Sequence, residues 1–445
     1  MQSQITLLKN QWKLHEKKQG TLVYPSQKQI AEKIYKELTT NNRICVTLCA
    51  PPQWGKTGIS LHLANRFTTT QNEWFTDINN VFFCTGMSDR SMVDQTKNRI
   101  LPCWKNNVYH RNTFHKVIKQ IYSLKTKQKD NNILIILDEC HIANLVNQEI
   151  STKLHNLGLF DIDYLLSHNI KILQISATPS NSLVDCLNWD TYHTQITVPL
   201  LEGYVSFEQI KQENRIRECV DLTDINVCRR FCNGFTEFTN PRYHIIRLSI
   251  VKDLLGNTPY LLGKTNLQTI CKESNYKLIE LNGSLSEKEK QQIFLNLENK
   301  PNVHTIILIK NMLRAGKTLC DKYIGYCQES ITKIKNYSSE VQGLPGRLCG
   351  WGKQKGKEAP IIYCTTEIID NYILLYKNKF NYNLETLEWK DSRLIKKVDK
   401  TNVNSKPSIF YSENTKGLTK IDKIKKMLLE NNGNFVHSSD EEGEE

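Results

Sequence analysis

The chain has 445 residues, 39% hydrophobic and 24% charged, with 59 Lys+Arg against 46 Asp+Glu and a net charge of +13. Such proportions belong to two or three globular domains and exclude wholesale disorder. No apolar run approaches the roughly 18 residues that a membrane span needs. The positive balance suits a polyanionic partner, because phosphate contacts release counterions.

The first residues, MQSQITLLKNQWKLHEKK, carry charges where a secretory signal needs an apolar stretch, so a cytoplasmic, nuclear or virion setting is expected rather than secretion. Residues 1–19 are taken as an N-terminal extension. The 14 cysteines are scattered without a C-x-x-C pair, and the closest spacings are Cys45/Cys49 and Cys228/Cys232. Reduced, packed thiols are the expectation.

Short β-branched runs then alternate with helical stretches, the pattern of parallel-sheet α/β units. Expected strands are 44–50, 81–85, 133–137 and 172–176 in a first domain spanning 20–200. GISLHLANRF, SMVDQTKNRI and TFHKVIKQIYSLK lie between them with helical spacing. Residues 190–240 lack a clear period and read as a connection with an irregular start to a second domain, 201–380. That domain's expected strands begin near 243 and continue at 277–281, 303–309, 323–328 and 361–365. Ser286 with Glu289 reads as a capping box opening a helix. A C-terminal extension, 381–445, ends in SSDEEGEE, too charged to fold alone.

The chemistry begins at Ala50-Pro51-Pro52-Gln53-Trp54-Gly55-Lys56-Thr57, between a strand and a helix. This is the context of a phosphate-binding loop. Gly55 lets the backbone approach phosphates, and the following helix offers free N–H groups. Lys56 neutralises β/γ oxygens of ATP, and the Thr57 hydroxyl can ligate Mg²⁺. A second acidic signal follows where ILIIL runs into Asp138-Glu139-Cys140-His141 at a strand's C-terminal end. Ligands of open α/β sheets bind at that edge. An acid there can hold Mg²⁺ through water while its neighbour orients or deprotonates the attacking water.

Together with Ser176-Ala177-Thr178, these segments stand in the order and spacing of motifs I, II and III of superfamily 2 helicases, and the chain resembles a DExH-type member over about residues 20–375. The resemblance implies two tandem RecA-like α/β domains, each a mostly parallel sheet flanked by helices. It also implies ATP hydrolysis coupled to translocation or unwinding. By the same likeness Asp138 coordinates metal, Glu139 is the base, and His141, Ser176 and Thr178 couple nucleotide state to domain closure. Gln27 resembles an upstream adenine-reading glutamine, and Gln95 falls in the segment corresponding to a backbone-contacting helix. Arg314, Gly316, Lys317 and Thr318 resemble motif V, where Arg314, Lys317 and Thr318 would contact nucleic acid. Gln342 through Gly346-Arg347 resembles motif VI, whose arginine reaches the γ-phosphate. Three departures stand out: Ala50 replaces the first loop glycine, Gln342 lies one residue further from Gly346, and Gly350 occupies a second arginine's place. GRLCG-aromatic-G is also similar to helicase-like ATPases of large DNA viruses, phages and cytoplasmic linear plasmids. The expected polymer is DNA, with RNA as the alternative. The chain is expected to be a monomer, with replication or transcription proteins such as a polymerase as candidate partners.

Overall fold

The computed structural model describes residues 2–85, 90–110, 113–126, 132–138, 162–179, 187–251, 258–310, 312, 318–331, 336–380 and 389. The first sheet has strands β1 (Cys45–Cys49), β2 (Val81–Thr85), β3 (Val108–His110), β4 (Ile133–Asp138), β5 (Ile170–Ser176) and β6 (His193–Thr197). They lie in the order β3-β2-β4-β5-β1-β6, every pair parallel. β7 (Tyr204–Val205) then leaves the domain. The second sheet takes β8 (Ile216–Glu218), β9 (Tyr243–Arg247), β10 (Lys277–Leu281), β11 (Thr305–Ile309), β12 (Ile324–Gln328) and β14 (Ile361–Cys364). Its order is β10-β11-β9-β12-β14-β8, again parallel throughout. Between the last two strands, β13 (Gly350–Trp351) pairs antiparallel with β7. This is a tandem RecA-like arrangement.

Central strands of such sheets are covered on both faces and so need continuous apolar runs. β1, β2, β5, β11, β12 and β14 are buried along their whole length. One buried cluster runs from Leu8 and Val46 through Tyr204 to Tyr243 and Ile362, so the inner core passes from one domain into the other. The outer faces are filled separately, around Phe82 and Trp189 in the first domain and around Phe235 and Tyr326 in the second.

The segment expected to be an extension is the helix α1 (Gln2–Gln19), and it is part of the first domain. Leu8 is fully buried, and the Gln4 amide donates to the carbonyls of Thr68 and Thr76, both at 3.1 Å. Residues 190–240 also differ from expectation, since they supply an edge strand to each sheet: β6 to the first and β8 to the second. Edge strands bury less than central ones, so HTQIT and IRE carry no apolar run that periodicity could detect. The capping box is present, with the Ser286 side chain accepting from Glu289 N–H and Glu289 accepting from Ser286 N–H. Among the described residues no helix is long and apolar enough to cross a membrane.

Candidate nucleotide site

Strand register sets the site. Cys49 at the end of β1 lies beside Ser176 at the end of β5, and Asp138 at the end of β4 lies beside Ile175. The phosphate loop, Asp138 and Ser176 therefore emerge from neighbouring strands at one sheet edge. β1 leads into the loop, and α3 (Lys56–Thr69) leaves it with Gly55 as N-cap at φ +103°. That left-handed conformation is costly for any residue with a Cβ. It frees the first N–H groups of α3 toward the cleft, where an anion is favoured.

A cleft of about 570 Å³ lies between the domains. The first domain lines it with Gln27, Gln53, Lys56, Thr57 and Asp138; the second contributes Thr318, Asp321, Gln342, Arg347 and Lys353. Among the described residues, its charged lining is Lys56, Arg99, Arg347 and Lys353 against Asp138 and Asp321. The positive excess matches a polyphosphate anion. The hydroxyl of Thr57 and the carboxylate of Asp138 are hard oxygen donors of the kind Mg²⁺ takes, with water and phosphate completing its octahedron.

Within the loop, Pro52, Gln53, Gly55, Lys56 and Thr57 face the cleft, whereas Ala50, Pro51 and Trp54 do not line it. Trp54 is 0% exposed, and its indole donates to the Pro199 carbonyl at 3.1 Å. The Trp54 side chain therefore does not take part in binding within the cleft, as a place in the loop would suggest: it packs the loop from behind. Trp351 donates to the Trp54 carbonyl at 2.9 Å, and the Tyr204 hydroxyl donates to that of Pro52 at 2.6 Å. The β7–β13 pair thus holds two carbonyls of the loop turned away from the anion.

Gln27 sits in the first turn of α2 (Pro25–Thr39), where its Oε1 accepts from the Tyr24 N–H at 2.9 Å. Its Nε2 donates to the Gly55 carbonyl at 3.1 Å. Its amide is thus shared between a helix cap and the phosphate loop, in the same cleft as Gly20, Thr21 and Leu22. Gln95, expected at a nucleic-acid surface, lies on α4 (Arg90–Arg99) and lines the nucleotide cleft. Thr318, expected at the same surface, also faces the cleft. Glu139, His141, Arg314 and Lys317 lie outside the described residues.

Ser176 and Thr178 are fully buried just behind the cleft. Ser176 Oγ accepts from Thr178 N–H at 3.0 Å, and Thr178 Oγ1 accepts from Gln342 Nε2 at 2.6 Å. These bonds join the end of β5 to the segment that carries Arg347 in the second domain.

That segment is pressed against the phosphate loop. A Cβ on Gly346 would lie 3.1 Å from Pro52, and one on Gly350 would lie 2.8 Å from the Gln53 Cβ. Gly350 has φ +128° and pairs with Val205. This accounts for the departure from the helicase pattern, because no side chain fits where Gly350 meets Gln53. Arg347 is 2% exposed and reaches the cleft from the short turn Pro345–Arg347. Gly350→Ala is expected to cost about 1–3 kcal/mol of stability, read by chemical denaturation. Gly350→Arg, which would restore the common pattern, is expected to lower rather than raise ATP turnover.

Two further cations line the cleft outside the helicase-like motifs. Burial lowers the Lys353 pKa, with Asp321 opposing the effect, and its ammonium donates to the Leu319 carbonyl at 2.7 Å. Arg99, the last residue of α4, donates from Nη2 to Thr318 Oγ1 at 3.2 Å across the cleft. A basic residue in a helix's last turn ordinarily reads as a partner for the helix dipole, which gave no reason to single it out.

No family model matches the chain. It is 26% identical over 345 residues to the uncharacterized protein L594 of Acanthamoeba polyphaga mimivirus, covering 72% of this chain and 80% of that protein. Among solved structures it is similar to S. cerevisiae Dbp5 bound to RNA and ADP BeF3, at a TM-score of 0.41 and 12% identity, covering 80% of this chain and 92% of that one. It is also similar to Mss116p bound to ssRNA and AMP-PNP, at a TM-score of 0.37 and 12% identity, covering 78% and 64%. The fold assignment rests on the chain's own two parallel sheets.

Proposed function

We propose that this chain is an ATP hydrolase whose two RecA-like domains form a nucleic-acid motor, a helicase or translocase. The observation that carries the reading is the closure of residues 342–350 of the second domain on the phosphate loop of the first. That closure sets Arg347 in one cleft with Lys56, Thr57 and Asp138. An arrangement built from both domains makes a reaction in the cleft depend on their relative position.

Hydrolysis joins a water oxygen to the γ-phosphorus as the bond to the β–γ bridging oxygen breaks. ADP keeps that electron pair, and the water gives up a proton. Lys56 and the first N–H groups of α3 hold the β/γ oxygens. Thr57 and Asp138 would hold Mg²⁺, whose charge offsets that of the phosphates. Glu139 would accept the proton, a role drawn from the helicase resemblance. Arg347 would donate to the γ-phosphate oxygens, where charge changes during transfer. Loss of the γ-phosphate loosens Arg347, and separating the domains then requires breaking the Gln342–Thr178 bond.

The net charge of +13 supports a polyanion as the second ligand. We infer DNA or RNA, since the preference for DNA drawn from the sequence gains no support from the described residues. A contrasting reading is a non-hydrolysing nucleic-acid-binding scaffold, for which Gly350 would be a sign of decay; the fit of Gly350 against Gln53 gives that glycine another cause.

The decisive experiment is ATP turnover of the full chain with Mg²⁺, alone and with single-stranded DNA or RNA. Turnover raised several-fold by one polymer is expected and identifies the substrate class. Absence of hydrolysis under all three conditions overturns the motor reading.

A further inference from the structure

The cleft holds a cation that the motif set does not explain. Arg99 stands at the C-terminal end of α4 and lines the cleft beside Gln95 and Thr96. Arg99 is an exposed residue at the cleft mouth, partly covered by the surrounding protein. Nη2 donates to Thr318 Oγ1 at 3.2 Å, so the side chain already spans the gap between domains. Burial lowers its pKa, and the Asp138 carboxylate pulls it back up, which sets the guanidinium within the field of the metal-binding acid.

We propose that Arg99 is a catalytic residue of this cleft, a γ-phosphate-binding guanidinium supplied by the first domain. The assignment rests on the ATPase reading of the same cleft. Three observations lead to it.

Position comes first. In the ATPase reading, Gly20–Leu22 and Gln27 would take the base, and Lys56 and Asp138 the phosphates and their metal. Arg99 lines the same cleft as Lys56 and Asp138, and the Asp138 carboxylate acts on its charge. It approaches from α4, a different segment from those that carry Lys56 and Arg347.

Partner strength comes second. Its hydrogen bond to Thr318 is to a neutral hydroxyl, worth about 0.5–1.5 kcal/mol, whereas bonds to charged groups are worth about 1.5–3 kcal/mol. Once Asp138 engages a divalent cation, the strongest acceptors within reach of Arg99 are phosphate oxygens. Exchanging Thr318 for phosphate is then favourable.

Steric necessity comes third. The segment 342–350 delivers Arg347 but has no room for another side chain at Gly350, where a Cβ would strike Gln53. A second guanidinium at the terminal phosphate must therefore come from elsewhere in the cleft. Among the described residues, the other cations lining it besides Arg347 are Lys56, which belongs to the loop, and Lys353, which donates to the Leu319 carbonyl. Only a contact with the terminal phosphate distinguishes ATP from ADP, so Arg99 should act on ATP alone.

The test compares wild type, Arg99→Ala and Arg99→Lys in the full chain. It reads steady-state ATP turnover, together with equilibrium binding of ADP and a non-hydrolysable ATP analogue. Arg99→Ala is expected to lower kcat by about 100-fold, below the 10³–10⁵ attributed to a principal arginine finger. Affinity for the ATP analogue should fall roughly tenfold, a scale of about 1.4 kcal/mol. ADP affinity should stay within about twofold. Arg99→Lys should recover little turnover, because a point charge lacks the planar fork of donors. Equal losses of ADP and ATP-analogue affinity would mean that Arg99 merely latches the domains through Thr318, and would overturn the proposal. Wild-type turnover in Arg99→Ala would overturn it while leaving the ATPase reading intact. A wild-type chain that binds neither nucleotide would defeat both.

Discussion

Arg347→Ala is expected to lower ATP turnover by roughly 10³–10⁵-fold while ATP affinity changes only a few-fold. The expectation follows from where the side chain sits. Arg347 is buried at the domain interface and reaches the same cleft as Lys56, Thr57 and Asp138. A donor delivered by the second domain acts when the cleft is closed around the reacting phosphate, so its loss falls on kcat. Lysine should rescue poorly, since its ammonium is a point charge on a flexible stem. Lys56→Ala gives the contrasting pattern, because the loop lysine holds phosphate in ground and transition states alike, and its loss should weaken ATP binding itself. Steady-state kinetics of the two variants side by side make the check. A kcat for Arg347→Ala within tenfold of wild type would show that another residue of the cleft carries the role, with Arg99 and Lys353 the neighbours to examine next.

How far the sequence exposed this site depended on whether a residue acts through its neighbours in the chain or through distant ones. The loop Ala50–Thr57 was legible because glycine, lysine and threonine at fixed spacing between a strand and a helix have one common use. Asp138 was legible because it ends an apolar run. Val81–Thr85 and Lys277–Leu281 stand where their apolar patterns put them. β3, β6 and β8 were not legible, since a short strand at a sheet's edge needs no apolar run. The meaning of Gly350 was also out of reach: its lack of a side chain answers to Gln53, almost 300 positions earlier in the chain. Which loop residues turn from the cleft was out of reach for a related reason: the Trp54 indole is held by Pro199, and Trp351 and Tyr204 bind loop carbonyls. Glu329, just after β12, stands outside every motif.

Glu329 supports the second large expectation. It follows β12 and is almost fully buried, pairing with Arg247 at the end of β9. Its Oε2 also accepts from the Leu344 N–H at 3.1 Å, and Arg247 Nη2 donates to the Met312 carbonyl at 2.8 Å. A Cβ on Gly343 would lie 2.6 Å from the same carboxylate oxygen, so the backbone at 343–344 rests directly on it. Glu329 is thus a positioning residue, fixing the turn from which Arg347 projects three residues later. Glu329→Ala leaves Arg247 buried without its anion, and breaking a buried pair this way costs about 3–5 kcal/mol. Thermal denaturation should therefore show a large drop in midpoint. Stability alone would not separate positioning from packing, and a paired substitution does. Replacing both charges, as Arg247→Met with Glu329→Leu, removes the unpaired cation and should regain most of the midpoint, because apolar replacements of a buried pair are often neutral or stabilising. It still leaves the Leu344 N–H without its acceptor. ATP turnover in the double variant should therefore stay at least tenfold down with nucleotide affinity preserved, the signature of a displaced Arg347. Glu329→Gln, which keeps an oxygen for Leu344, should retain more turnover than the double variant despite being less stable. Wild-type kcat in a refolded, stable double variant would refute the positioning role and leave Glu329 as packing alone.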